Sequence, residues 1–318
     1  MAAARQTKLE QSMIAPWLNV SAEVAAALAE ERPVVALEST LIAHGLPWPT
    51  NLETAREAEA VVRAAGAVPA TIAIWHGVPT VGLSESQLAE LAQAPGVLKA
   101  SRRDLGAAVG LKRLAATTVS ATMALAHAAG IRVFATGGIG GAHRDDEPFD
   151  ISADLVELGR MPVLVVCAGA KSILDLPRTL EILETLGVPV LGYRTEEFPA
   201  FYVSAVKLPV SARVDTAQEA AAVYAAHVCM GGHGAVLARL CPDEAVIPAP
   251  EFHQWLSRAE EDAQVANVKG PRITPFLLAR IAELSGGRTL IANRALIVAN
   301  ARLAAEVAVE LTSHHSSG

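Results

Sequence analysis

Residues 162–171 read P-V-L-V-V-C-A-G-A-K, an apolar run that ends in a charged lysine. The run is typical of a buried strand, and a helical pattern begins close behind it, near Leu176. Lys171 therefore lies at the end of a predicted strand, where an ammonium group is costly unless it is paired or neutral. A neutral amine is a nucleophile, but a charged lysine at a strand end can also extend its head group into water without any function. This run alone leaves both interpretations open.

The same order of strand and helix repeats along most of the chain. Short apolar runs predict strands, and amphipathic patterns with capping residues predict helices between them. This alternation favours an α/β fold with a mostly parallel sheet that helices cover on both faces. No linker-like tract interrupts it, so we expect one domain over residues 1–312 and a disordered tail over 313–318. The predicted strands are 34–37, 68–75, 131–135, 162–167 and 188–192, and the predicted helices are 50–65, one opening at Ser84, 120–130, 176–186 and one starting near Thr216.

The composition excludes several classes of protein. Apolar residues make up 52% of the 318 residues and charged residues 19%, which is typical of a globular protein with a large core. The net charge of −7 argues against binding a nucleic acid polymer. The N-terminus has no apolar signal-peptide core, and no run is long enough to span a membrane, so we expect a cytoplasmic protein without a membrane partner. The 3 cysteines form no CxxC pair, which predicts a reducing compartment and no zinc site.

Residues with reactive or polar side chains follow three of the predicted strands. Glu38 comes after V-V-A-L, Thr136 after the strand at 131–135, and Lys171 after the strand at 162–167. Because ligands of parallel sheets bind beyond the carboxyl ends of the strands, we expect these residues to line one pocket. Glu38 is a candidate general acid, although a glutamate at a strand end can equally cap a neighbouring helix. Thr136 is a candidate substrate-binding residue.

Two segments are candidates for binding an anion. Residues 135–144 read A-T-G-G-I-G-G-A-H-R, a glycine-rich loop whose backbone N–H groups can approach a phosphate closely. His143 and Arg144 add phosphate-binding potential, although the loop is also compatible with a tight turn that has no ligand. Lys99 belongs to the basic segment 99–104, which is either a phosphate-binding element or a solvated start of a helix.

Asp150 and Asp154 are candidate ligands of a divalent cation. Residues four apart share one face of a helix, and hard cations such as Mn²⁺ or Mg²⁺ prefer carboxylates with water completing the shell. Asp150 could equally cap the N-terminus of a helix, and the spacing does not decide between these two roles.

Taken in order, several motifs resemble the pseudouridine-5′-phosphate glycosidase family, which includes indigoidine synthase A-like proteins. The resemblance covers roughly residues 33–311. The motifs that carry it are E-S-T-L-I-A-H-G-L-P-W-P-T-N-L-E-T-A-R at 38–56, K-A-S-R-R-D-L at 99–105, A-T-T-V-S-A-T-M at 116–123, A-T-G-G-I-G-G-A-H-R at 135–144, F-D-I-S-A-D-L at 149–155, C-A-G-A-K-S-I-L-D at 167–175, G-Y-R-T-E-E-F-P-A-F-Y at 192–202 and I-T-P-F-L-L at 273–278.

The resemblance implies an enzyme that reversibly cleaves the C–C glycosidic bond of pseudouridine 5′-phosphate, giving uracil and ribose 5-phosphate. It implies a three-layer α/β/α sandwich, usually assembled as a homotrimer, and a manganese cofactor. The roles that it implies are Lys171 as the nucleophile that forms an imine with the sugar, Glu38 as the proton donor, Asp150 as the metal ligand, and Lys99, Val119, Ser152, Ala153 and Asp154 as substrate-binding residues.

The implied chemistry explains why a lysine is needed. A carbon-linked base offers no exocyclic oxygen to protonate, so the two-carboxylate route of ordinary glycosidases is closed. Opening the ribose ring through an amine adduct is an alternative. A Schiff-base lyase or aldolase acting on another sugar phosphate, and a non-catalytic sugar-phosphate-binding protein, remain rival interpretations. Departures from the family pattern at Trp48, Arg194 and Ala299 affect substrate detail or subunit contacts more than the chemistry.

Overall fold

The computed structural model describes residues 14–144, 150–203, 206–268 and 273–313. The strands are β1 Asn19–Val20, β2 Val34–Leu37, β3 Val68–Trp75, β4 Val78–Val81, β5 Leu98–Ala100, β6 Ala115–Thr117, β7 Val133–Ala135, β8 Leu164–Cys167, β9 Val190–Tyr193, β10 Ala212–Val214 and β11 Ala235–Arg239. The helices are α1 Ala22–Ala29, α2 Thr50–Ala64, α3 Glu85–Gln93, α4 Leu105–Gly110, α5 Val119–Ala128, α6 Ala153–Leu158, α7 Leu176–Thr185, α8 Ala217–Cys229, α9 Ala249–Val265, α10 Ile273–Leu284 and α11 Arg288–Ser313. A π-helix spans Leu41–Gly45, and 3₁₀ helices span Arg102–Asp104 and Asp243–Ala245.

The strands of the described residues form one sheet of 11 strands, ordered β1-β4-β3-β2-β7-β8-β11-β9-β10, with β6 pairing β3 and β5. From β3 through β2, β7, β8, β11 and β9 to β10 every neighbour is parallel. The antiparallel pairs are those of β3 with β4 and with β6. The predicted α/β fold with a mostly parallel sheet is confirmed.

Helices cover the central strands on both sides. Every residue of β2 and of β8 is buried, which requires packed elements on both faces of the sheet. The long helix α11 packs on β2, β7 and β8 and also contacts α2 and α8. A second group of helices packs together, since α6 contacts both α5 and α7. This arrangement corresponds to the three-layer sandwich that the family resemblance implies.

The chemistry of the helix ends was largely predictable. Ser84 caps α3 in a capping box, because Gln87 N–H donates to its hydroxyl and the Gln87 side chain accepts from the Ser84 N–H. Gly130, predicted to follow the end of a helix, has a φ of +85° just after α5. Thr216 caps α8, whose predicted start is therefore confirmed.

Thr50 with Glu53 three residues on is a sequence pattern that predicts a capping box, but this prediction is wrong. The N-cap of α2 is Pro49, so Thr50 is already the first helical residue and its hydroxyl caps nothing. The Pro49 carbonyl accepts from the Glu53 N–H at 3.1 Å, and the Thr50 carbonyl accepts from the Thr54 hydroxyl at 2.7 Å. A residue whose backbone is helical cannot turn its side chain back to the first free N–H groups.

The last helix ends close to the predicted tail. Helix α11 includes Ser313, the first residue assigned to that tail, and the rest of it, residues 314–318, lies outside the described residues. Among the described residues no helix is long and apolar enough to cross a membrane. Cys167 is fully buried in β8, and its burial raises the pKa of the thiol to about 12, as a cysteine of the core requires.

Candidate active site

Glu38, Thr136 and Lys171 follow three adjacent parallel strands. Strand β7 lies between β2 and β8 in the sheet, so the carboxyl ends of these strands meet at one edge. The backbone of Lys171 is fixed there because its N–H donates to the Ile139 carbonyl at 3.2 Å. The sheet order therefore brings together the three strand ends, as the sequence predicts.

The charges of Glu38, Asp154 and Lys171 all act on the ammonium group of Lys99. Lys99 is exposed as a residue, but its ammonium group is surrounded by protein, and this burial is the main cause that lowers its pKa. The charge of Lys171 lowers the pKa further, whereas Glu38 and Asp154 act in the opposite direction. We name Glu38, Lys99, Asp154 and Lys171 the charged pocket.

His44 borders the charged pocket and was missed from the sequence. Burial lowers the pKa of its imidazole, and the positive charge of Lys99 lowers it further, while a hydrogen bond to the Val97 backbone acts in the opposite direction. His44 lies in the π-helix that follows Glu38. His44 belongs to the motif at 38–56, but it does not directly follow a predicted strand, which is the signal that identifies Glu38 and Lys171.

Two threonine hydroxyls hold the Glu38 carboxylate. Thr136 Oγ1 donates to Glu38 Oε1, and Thr40 Oγ1 donates to Glu38 Oε2. Thr136, predicted to bind substrate, thus has its hydroxyl engaged on Glu38. The sequence does not identify Thr40 as a partner of Glu38, because a threonine two residues after a glutamate is not a motif for a hydrogen bond between them.

The glycine-rich loop uses many of its amides internally. The N–H groups of Ile139, Gly140, Ala142 and His143 donate to Gly169 O, Asp154 Oδ2, Thr179 Oγ1 and Asp150 O, at 3.0, 2.9, 3.0 and 3.0 Å. These amides cannot also cradle a phosphate, so the structure favours the tight-turn interpretation for most of the loop. A Cβ at Gly138 would lie 2.7 Å from the Phe201 ring, and one at Gly140 would lie 2.3 Å from Ser152 Oγ.

His143 and Arg144 are also engaged by protein groups. The His143 ring nitrogen Nε2 lies 3.4 Å from the Thr274 hydroxyl. Arg144 donates to the Leu174 carbonyl at 3.0 Å and to the Ser172 carbonyl at 3.2 Å, and so ties the glycine-rich loop to the turn that follows Lys171. The guanidinium therefore supports the segment that carries the lysine.

Asp154 joins two parts of the site. Its side chain is buried, 6% exposed, and accepts from Ser120 N–H and from Gly140 N–H, each at 2.9 Å. Ser152 caps α6 by accepting from the Asp154 N–H at 3.2 Å, and Ala153 is the first residue of that helix. Val119, the first residue of α5, is buried beside Ser120. These are the substrate-binding positions that the resemblance implies.

Asp150 lies outside α6. The helix begins at Ala153 with Ser152 as its N-cap, so Asp150 neither caps it nor shares a helix face with Asp154, and both expectations are wrong. The reason is that residues 150–152 stay extended, with Ile151 bridged to Ala142 and the Asp150 carbonyl bound to the His143 N–H.

A divalent cation could be held by Asp150. Within the described ranges, its carboxylate accepts no hydrogen bond and no group of three or more His, Cys, Asp or Glu side chains converges. Asp150 is half-buried as a residue, and a carboxylate without a protein donor fits a hard ion such as Mn²⁺ or Mg²⁺ that keeps most of its waters. The donor set is therefore compatible with a hydrated ion held by few protein ligands.

Asn300 supports the site from the last helix. Its side chain is fully buried in α11, and Nδ2 donates to the Thr136 carbonyl at 2.8 Å and to the Gly137 carbonyl at 3.3 Å. Next to it, Ala299 contributes a backbone carbonyl that accepts from Arg239 Nη1 at 3.2 Å.

The other two departures, Trp48 and Arg194, are exposed residues. Arg194 adopts a φ of +58°, a left-handed conformation that favours glycine. Its guanidinium lies 4.9 Å from the Tyr193 ring centroid and donates to the Asp215 carbonyl at 3.1 Å. Trp48 is 52% exposed and precedes α2.

Comparison with known proteins gives consistent results. The model of the family described as indigoidine synthase A like protein matches residues 23–310. A pseudouridine-5′-phosphate glycosidase of Herpetosiphon aurantiacus is 54% identical over 296 residues, 92% of this chain and 98% of that protein. The corresponding enzyme of Solibacter usitatus is 53% identical over 296 residues, 92% of this chain and 99% of that protein.

Solved structures agree with these matches. The prealnumycin C-glycosynthase AlnA in complex with ribulose 5-phosphate has a TM-score of 0.88 and 40% identity, and the match covers 95% of this chain and 99% of that one. An indigoidine synthase A-like protein of Thermotoga maritima has a TM-score of 0.84 and 36% identity, over 93% and 96% of the two chains. The resemblance that the sequence motifs indicate is thereby confirmed.

Proposed function

Because this chain is an enzyme of the indigoidine synthase A like family, we propose that it reversibly cleaves the C–C glycosidic bond of pseudouridine 5′-phosphate through an imine on Lys171. The products of cleavage are uracil and ribose 5-phosphate. The observation that carries the proposal is that Glu38 and Lys171 follow β2 and β8, the strands on either side of β7, and that the charges of both act on the ammonium group of Lys99. The names of the relatives and the sugar phosphate bound by AlnA support the substrate class.

The proposed reaction begins at the sugar ring. Glu38 transfers its proton to the ring oxygen, the C1′–O bond breaks, and the neutral amine of Lys171 forms a bond to C1′. The attached nitrogen then loses a proton. The carbon-linked uracil departs with the electron pair of the C1′–C bond and takes up a proton at that carbon, while the nitrogen lone pair forms the C1′=N bond of the protonated imine. Water then adds to the imine carbon and releases ribose 5-phosphate and the free lysine.

The other charged groups have binding roles in this proposal. Lys99 is an ammonium donor for the substrate phosphate, a contact that favours its charged form. Val119, Ser152, Ala153 and Asp154 border the bound sugar phosphate by family correspondence. Thr136 and His143 are proposed to border it because they belong to the glycine-rich loop.

A metal ion and an oligomer complete the proposal. Asp150 would hold a hydrated Mn²⁺ or Mg²⁺, which supplies positive charge next to an anionic substrate when bound. By the same family correspondence we propose a homotrimer.

One observation favours a second candidate. AlnA, 40% identical and solved with ribulose 5-phosphate, is a C-glycosynthase of a different product. The same lysine could thus act as a Schiff-base lyase on another phosphorylated five-carbon sugar. This candidate predicts a trapped sugar adduct without release of uracil from pseudouridine 5′-phosphate.

The decisive assay is incubation with pseudouridine 5′-phosphate and Mn²⁺, with uracil quantified by chromatography. We expect uracil release from the wild-type chain and none above background from Lys171→Ala or Lys171→Arg. Lys207→Ala, which removes an exposed lysine, serves as the matched control and should retain activity. Uracil release by Lys171→Ala at the wild-type rate would contradict the lysine mechanism. A wild-type chain that releases no uracil would contradict the substrate.

A further inference from the structure

The Thr40 hydroxyl is directed at the Glu38 carboxylate. Thr40 precedes the π-helix Leu41–Gly45, and its own backbone is already helical, with a φ of −60° and a ψ of −30°. Its side chain therefore makes no capping hydrogen bond, and the Ser39 carbonyl accepts from the Ile42 and Ala43 N–H groups at 3.0 and 3.2 Å. Thr40 Oγ1 instead donates to Glu38 Oε2. The hydroxyl thus has no capping role in its own helix.

The same hydroxyl has a second acceptor. Thr40 Oγ1 lies 3.2 Å from the Thr117 carbonyl oxygen, in addition to its contact with Glu38. A hydroxyl has one proton to donate and lone pairs that accept, so it can donate to either oxygen but not to both at once. Thr40 is only 8% exposed, which leaves little access for water to replace either partner.

The second acceptor is held in place by a buried network. Thr117 N–H donates to Ser39 Oγ at 2.9 Å, and the hydroxyls of Ser39 and Thr117 both donate to the Ile72 carbonyl, at 2.6 and 2.7 Å. Thr122 Oγ1 donates to Thr117 Oγ1 at 2.9 Å. Thr117 therefore presents its carbonyl at a fixed place beside Thr40. Among the described residues, the Thr136 hydroxyl has no alternative acceptor to Glu38 of this kind.

We propose that Thr40 is a positioning residue that keeps Glu38 hydrogen-bonded in both of its protonation states. The inference rests on the proposed function, in which Glu38 is the proton donor. While Glu38 carries its proton on Oε2, the Thr40 proton points to the Thr117 carbonyl, and the Thr40 oxygen accepts from the Glu38 O–H until the ring oxygen of the sugar takes over that hydrogen bond. As the Glu38 O–H bond breaks and the proton bonds to the ring oxygen of the sugar, the Thr40 proton turns to the new carboxylate. No proton leaves Thr40.

This role predicts a loss in turnover and little change in binding. Thr40→Val keeps the shape of the side chain but removes the hydroxyl, so the negative charge that forms on Glu38 loses one of two donors. A hydrogen bond to a charged group corresponds to a fall in kcat of roughly 10- to 100-fold. The KM for pseudouridine 5′-phosphate should stay within about twofold of the wild-type value, since Thr40 has no proposed role in binding the phosphate. Thr40→Ser, which restores a hydroxyl, should recover most of the turnover.

The matched control is Thr71→Val. Thr71 is also a buried threonine whose hydroxyl donates to a glutamate, Glu59 Oε1 at 2.6 Å, but Glu59 lines a separate cavity with Ser21 and Thr80. We expect Thr71→Val to lose stability without the selective loss of kcat. Thermal unfolding of each variant checks that it is folded, and Thr40→Ala replaces Thr40→Val if valine is not accommodated.

The test is steady-state release of uracil by these variants and by the wild type. If wild type releases uracil and folded Thr40→Val keeps kcat within about twofold, the inference is wrong while the proposed function stands. The inference is also wrong if Thr40→Ser is as slow as Thr40→Val, or if Thr71→Val loses as much kcat. If wild type itself releases no uracil, the proposed function fails and the inference falls with it.

Discussion

Replacing Asp154 by asparagine keeps the size of the side chain but removes the charge that two backbone N–H groups share. In the wild type, the N–H groups of Ser120 and Gly140 each lie 2.9 Å from an oxygen of the Asp154 carboxylate. The asparagine oxygen can accept from one of these N–H groups, but the asparagine NH₂ group then faces the other. The variant thus loses one charge-assisted hydrogen bond and leaves a buried N–H unpaired. Together these correspond to a free energy of unfolding lower by about 2–4 kcal/mol.

The same substitution acts on substrate binding through Lys99. The Asp154 charge raises the pKa of Lys99, so its removal favours the neutral amine and weakens attraction for a phosphate. We expect urea unfolding at a lower midpoint and a higher KM. Asp150→Asn is the matched control, because its carboxylate has no hydrogen bond within the described residues and should leave metal-free unfolding unchanged. An Asp154→Asn variant that unfolds and binds like wild type would refute this reasoning.

Two further predictions concern charge and packing. Burial and the charge of Lys171 lower the pKa of Lys99, so Lys99 loses its proton at a lower pH than a lysine surrounded by water does. The KM should therefore rise as the pH becomes alkaline, and in Lys99→Arg this rise should begin at a higher pH. Equal alkaline rises in both proteins would contradict the assignment. Gly138→Ala places a Cβ 2.7 Å from the Phe201 ring, and urea unfolding should show a loss of about 1–3 kcal/mol. Gly106→Ala, with nothing within 4 Å of the new Cβ, should not destabilise, and equal losses would contradict the packing argument.

Much of the fold could be predicted from local patterns. The apolar runs at 34–37 and 68–75 became β2 and β3 with the predicted bounds, because a strand buried on both faces needs uninterrupted apolar residues. The strand predicted at 131–135 is shorter, Val133–Ala135, since its first residues connect α5 to the sheet. The antiparallel pairing of β3 with β4 and β6 was not predictable, because a strand's neighbours depend on the whole sheet.

Residues at strand ends are the part of the candidate site whose location follows from the predicted fold. Glu38 and Lys171 follow that rule, so the parallel sheet brings their strand ends together. The partners of Asp154 are a helix start and a loop distant in sequence, and no local pattern announces such contacts. Asn300 reaches the Thr136 carbonyl from the last helix, across the whole length of the chain. Long-range contacts of this kind arise from tertiary packing, which periodicity does not encode.

The central claim is that Lys171 forms a covalent imine with a ring-opened sugar phosphate. It is tested most directly by incubating the protein with ribose 5-phosphate, reducing it with borohydride and locating the modified residue by peptide mass spectrometry. We expect one reduced sugar adduct, on the peptide that contains Lys171, and none in Lys171→Arg. An adduct on Lys99 in place of Lys171, or no adduct in a protein that releases uracil, would contradict it.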